Sequence, residues 1–164
     1  MNLVIAMMTI LNKQEFQEKL KPLEDRFGIK LEMLKNHGFM INEREEKIWI
    51  ASPECLQQDL QNIKIDTIGL LFARCGALPT EFKPTTNVMQ IFGKYATKNI
   101  LELTEEQKAA FVRGFDFQLI DSQLITISDG FVIVKYNNDI FGVALVQGNR
   151  VKNQVPKSRR IKKL

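Results

Sequence analysis

The chain has 164 residues, 45% of them apolar, with 23 Lys and Arg against 19 Asp and Glu and a net charge of +4. That length suits one domain or two small ones sharing an interface, and the apolar fraction is enough for a core. No run reaches the ~18 consecutive apolar residues of a membrane span. Cys55 and Cys75 lie outside any CxxC motif and His37 is the single histidine, so no zinc constellation is expected. With no glycine-rich phosphate loop or dinucleotide fingerprint, no cofactor is expected either. The sparse cysteines point to a reducing, cytoplasmic location.

Residues 1–11 are apolar but lack the positive start and cleavage site of a leader, and are expected as a buried first strand or helix. Asn12 with Glu15 makes a capping pair for a helix carrying Phe16, Leu20, Leu23 and Phe27, kinked or split at Pro22 and stopped by Gly28. Strands are expected over residues 29–34, 38–41 and 47–51, the last two joined by a polar turn. Ser52 and Pro53 open a helix to about Gln61. Residues 65–73 have the length of a strand, and Pro79 and Pro84 bracket a loop. Thr104 and Gln107 form a capping box for a helix ending at Arg113 and Gly114. Strands follow over 115–120, 131–136, 140–146 and 150–152, closely joined by turns. The pattern changes near residue 95. The expected class is α+β: a small α/β domain over residues 1–94, then a small β barrel over 95–164.

Charge is concentrated at one end. Residues 150–164 hold Arg150, Lys152, Lys157, Arg159, Arg160, Lys162 and Lys163 and no acid, so this segment carries +7 and the rest of the chain −3. Such a segment attracts a polyanion, because each cation that neutralises a phosphate releases condensed counterions. The plain alternative is a disordered tail that aids solubility.

A resemblance to the PUA domain, an RNA-binding pseudo-barrel, is carried by three features. One is Asn99-Ile100-Leu101-Glu102-Leu103 with the helix that follows it. Another is the pair Asp129-Gly130-Phe131-Val132-Ile133-Val134-Lys135-Tyr136 and Ile140-Phe141-Gly142-Val143-Ala144-Leu145-Val146. The third is the closing segment from Gly148 to Lys157. That segment resembles the PUA-like tail of Sun-family RNA 5-methylcytosine methyltransferases. The stretch Lys83-Pro84-Thr85-Thr86-Asn87, with 90–99, is similar to the join into that tail in archaeal relatives. The two-part layout is also similar to the small ribosome-biogenesis factors nicknamed Nip-seven, in which a pre-PUA α/β domain precedes a PUA domain.

The resemblance implies RNA binding without catalysis, in rRNA processing, ribosome biogenesis or RNA modification. The alternative is a detached subunit that delivers RNA to a separate 5-methylcytosine methyltransferase. Implied partners are structured RNA (rRNA or tRNA), a methyltransferase or pre-ribosomal proteins, and no membrane. The implied RNA-binding positions are Arg113 and Gly114 after the helix and Arg150, Lys152, Asn153, Gln154, Lys157, Arg159 and Arg160 at the end; Lys94 and Lys98 in the join extend the set. Strand alternation would put Arg150 and Lys152 on one face and Val151 inward. Gly114 would let backbone approach a phosphate, and Asn153 and Gln154 would read base edges. Arg113 reads equally well as a cation complementing the helix dipole. Arg74 is a lesser contact candidate. Catalytic residues are not expected. Cys55 and Cys75 read as small buried hydrophobes, Trp49 as core, and Glu43, Glu45 and Glu46 as a solvated turn.

Overall fold

The structure, a computed structural model, describes residues 8–42, 44–57 and 68–162. A short strand β1 (Thr9–Ile10) leads into α1 (Lys13–Phe27). The Asn12 side chain accepts from the Gln14 and Glu15 amides while Glu15 accepts from the Asn12 amide, so three backbone donors at the helix start are satisfied by this reciprocal pair. Strands β2 (Gly38–Asn42) and β3 (Lys47–Ala51) form a hairpin, followed by the single turn α2 (Pro53–Leu56) capped by Ser52. Then come β4 (Leu70–Arg74), β5 (Lys83–Pro84) and α3 (Thr86–Phe92). The second part contains β6 (Ile100–Glu102), α4 (Glu105–Arg113), β7 (Phe117–Gln118), α5 (Asp121–Leu124), β8 (Gly130–Tyr136), β9 (Asp139–Gln147) and β10 (Arg150–Asn153). The first sheet runs β1-β2-β3-β4-β5, all antiparallel. The second runs β6-β8-β9-β10-β7, with β6 parallel to β8.

The two sheets share a wall. Ile133 of β8 and Val143 of β9 belong to the first core, with Leu20, Leu23 and Phe27 of α1, Phe39, Ile48 and Phe72 of the first sheet, and Val88, Met89 and Phe92 of α3. Their strand neighbours Val132, Val134, Ala144 and Val146 belong to the second core, with Leu101, Phe111 and Val151. The expected continuous apolar runs are therefore buried on both faces of the sheet, one core on each side. Behind β6 and α4 the buried amides of Gln107 and Gln123 donate to each other, at 3.0 and 2.8 Å, and each also bonds backbone, so this polar pair is fully satisfied.

Several expectations are corrected. Residues 29–34 do not form a strand. After Ile29 the chain makes a tight 3-10 turn at Leu31–Leu34, which brings both Ile29 and Leu34 to full burial. Pro22 does not split α1, since Leu20 and Leu23 anchor the helix to the core on both sides of it. The Pro79–Pro84 loop contains a 3-10 turn, Pro79–Glu81, and strand β5. Of residues 115–120 only Phe117 and Gln118 pair as strand, because the Phe115 amide is still bonded to Ala110 of α4 and the Leu119 amide to Asn149. Trp49 is half-buried on the outer face of the first sheet, not in its core. Ile10 in β1 is exposed, so the described end of the first segment is strand but not buried. Cys55 is exposed and Cys75 half-buried, contrary to the buried role expected of Cys55. Residues 1–7, Glu43, 58–67 and 163–164 lie outside the described residues, and with them parts of the expected first element, of the helix to Gln61 and of the strand from Ile65. Among the described residues no helix is long and apolar enough to cross a membrane.

Gly142 lies where the two cores meet. Its φ is +150°, and a Cβ there would stand 2.8 Å from Thr86 Oγ1 at the start of α3. Gly142→Val is expected to destabilise the fold by about 1–3 kcal/mol, the range for overpacking, measured as a lowered denaturation midpoint.

Candidate nucleic-acid interface

The basic segment is not a free tail. β10 pairs with β9 and β7, with Val151 fully buried between them. This leaves Arg150 exposed and Lys152 half-buried on the opposite face, as the alternation predicts. The chain then bends back. Residues Lys157–Arg159 form a 3-10 turn, the Ile161 amide donates to the Val112 carbonyl at 2.9 Å, and Arg159 Nη1 donates to Asn87 Oδ1 at 2.7 Å. Lys157, Arg159 and Lys162 stay exposed, and Arg160 is half-buried.

Three of the expected positions have partners within the protein. Gly114 has φ +85°, and a Cβ there would lie 2.3 Å from Arg160 Nε, so the room left by this glycine is filled by the Arg160 side chain. Asn153 Nδ2 donates to the carbonyls of Phe111 at 2.7 Å and Phe115 at 3.3 Å, and its Oδ1 accepts from the Val155 amide at 2.7 Å. These bonds satisfy carbonyls at the end of α4 and pin the turn after β10. The Gln154 side-chain oxygen accepts from Lys83 Nζ. The polar edges expected to read bases are thus largely engaged in holding the segment in place.

Asp116 clamps the start and end of β10 together. Its carboxylate accepts from the Asn153 amide at 2.9 Å and from Arg150 Nη2 at 2.8 Å. These bonds, the Asn153 amide first, hold its pKa below the usual aspartate value. Arg113, exposed in the last turn of α4, lies 5.4 Å from the centre of the exposed Phe115 ring, so it both complements the helix dipole and forms a cation–aromatic pair at the surface.

The expected cations fall into two groups. Arg113 and the positions from Arg150 to Arg160 come together around the end of α4. Lys98 instead precedes β6, the edge strand of the second sheet that lies three strands from β10. Lys94 sits over the Tyr95 ring at 5.1 Å, in the turn beyond α3. Phe115, Asp116 and Asn87 were not singled out by sequence. Only the exposed aromatic next to Arg113 had a local signal; the other two act through residues far away in the chain.

Residues 98–161 match the family described as the methyltransferase RsmF PUA domain. The chain is also similar to ribosomal RNA small subunit methyltransferase F of Vibrio parahaemolyticus, 26% identical over 148 residues, which are 89% of this chain and 29% of that protein. The chain thus spans less than a third of that relative's length.

Because the Asp116 carboxyl is held low in the folded state, its contribution is complete above the ordinary aspartate value of about 4 and is lost as pH falls through the lowered folded value. Asp116→Asn is expected to lower the melting temperature at neutral pH, with the difference from the unmodified protein shrinking in acid. Melting curves across that pH range measure it.

Proposed function

With residues 98–161 a PUA domain of the type found in RsmF methyltransferases, we propose that the chain binds structured RNA without catalysing a reaction itself, and acts in rRNA modification or maturation in the cytoplasm. The observation that carries this reading is the basic segment from Arg150 to Lys162, held in a fixed path around the end of α4 and presenting exposed cations against an otherwise acidic chain. A pre-ordered cationic surface loses little conformational entropy when RNA binds. The exposed Phe115 ring beside Arg113 offers a face on which an unpaired base can stack. Asn153 serves this reading as a positioning residue for the segment.

A second reading has the chain delivering RNA to a methyltransferase unit. It is favoured by the exposed apolar group Ile120, Leu124 and Ile125 around α5, a surface suited to a protein partner, and by the name of the relative described above.

Removal of residues 157–164 is expected to weaken binding of a labelled RNA stem-loop and to flatten its salt dependence, by roughly 0.7 to 0.9 in the slope of log K against log salt for each phosphate that is no longer neutralised. Lys152→Ala is expected to change stability by no more than about 0.5 kcal/mol yet weaken binding; unchanged affinity in both variants refutes the reading. The Cys55→Ser, Cys75→Ser double variant is expected to retain RNA binding. Methyl transfer from S-adenosylmethionine to RNA by the purified chain, abolished in that variant, would overturn the non-catalytic assignment.

A further inference from the structure

The outer face of the first sheet carries a row of like charges. Lys47, Arg74 and Lys83 stand opposite one another on β3, β4 and β5. Residues paired in this way share a face, with Cβ atoms about 4.5–5.5 Å apart, and like charges so placed repel. At the outer end, Lys47 pairs with Glu45 at 2.9 Å. Arg74, the middle member, is exposed. Lys83 is half-buried, with its ammonium 5.8 Å from the centre of the Phe131 ring and donating to Gln154. Burial, and then the charge of Arg74, lower its pKa.

The row continues beyond the first sheet. Phe131, Leu145 and Lys152 form a second cross-strand row on β8, β9 and β10, and Lys83 lies at its Phe131 end. The basic segment is fastened at this same corner of the first domain through Gln154 on Lys83 and Arg159 on Asn87. Lys47, Arg74 and Lys83 on the first row, Lys152 at the far end of the second, and Arg159 fastened at the shared corner thus place cations on both halves of the protein. Arg74 and Lys83 repel each other on adjacent strands, and a bound polyanion converts such repulsion into shared attraction.

We infer that this row is a second RNA-binding surface, on which one RNA backbone crosses from the C-terminal segment onto the first domain, with phosphates held by Arg74 and Lys47. The inference rests on the RNA-binding reading above and extends it to a domain outside the matched residues. An acidic protein segment is the other polyanion that such a row would attract. RNA is favoured because the row runs into the basic segment of a PUA domain.

The test uses the full chain and a labelled RNA stem-loop with a single-stranded flank, titrated over a range of salt. Arg74→Gln is expected to reduce the slope of log K against log salt by roughly 0.7 to 0.9, and Arg74→Gln with Lys47→Gln by about twice that. The melting temperature of the free Arg74→Gln protein should stay the same or rise, because its repulsion of Lys83 is relieved; a merely structural role would lower it. Lys35→Gln, an exposed cation on another part of the surface, serves as the control with unchanged binding. If Arg74→Gln and the double variant keep the full affinity and slope while removal of residues 157–164 lowers both, the inference is overturned and the RNA-binding reading stands. If the stem-loop is not bound, or none of these changes alters its binding, both fall.

Discussion

The β8–β9 hairpin has no solvent face at its centre. Ile133 and Val143 point into the core shared with α1, α3 and the first sheet, while Val132, Val134, Ala144 and Val146 point into the core closed by α4 and β10. Burial of each of these valines and of Ile133 is worth about 1.5–3 kcal/mol, so both cores draw on one pair of strands. Because successive residues of a strand face opposite sides, a slip of one residue in this hairpin would exchange the two sets and misfit both cores together. The register of β10, and with it the direction in which Arg150 and Lys152 point, follows from that constraint.

Polar contacts complete what the shared wall begins. The Arg26 guanidinium at the end of α1 donates to the carbonyls of Phe131 and Ser128 and to the Ser128 hydroxyl, each at 2.8 Å. Burial lowers its pKa while Asp129 opposes the change; an arginine nevertheless stays charged. Asn99 donates to the Arg26 carbonyl and accepts from the Ser128 hydroxyl. On the other side of the junction Lys83 holds Gln154, and Asn87 holds Arg159. The two halves are thus fastened on both sides of the hairpin, and the basic segment is fastened to both halves. A surface built this way presents its charges in a set arrangement, which favours binding by lowering the ordering that binding requires.

Much of the local structure was legible in the chain. The capping boxes of α1 and α4, the Ser52 cap, the glycines that end both helices, and the turns joining β8, β9 and β10 all depend on residues within about four positions of one another. The inward place of Val151 followed from strand alternation. The resemblance to a PUA domain rested on this same stretch, where local signals are dense, and the family match covers it.

What the sequence determined by itself was the set of elements with strong local signals, the class of fold, and a concentration of positive charge at one end of the chain. What only the tertiary structure decided was which polar groups remain available. Arg26 finds Phe131 105 positions away, Arg159 finds Asn87 72 positions away, and Asn153 finds Phe111 42 positions away. None of these pairings leaves a periodic or capping signature. The same holds for the turn at Leu31–Leu34 and for the exposure of Cys55. A side chain's charge is a property of its own residue, but its hydrogen-bond partners and burial are properties of whatever the rest of the chain brings against it.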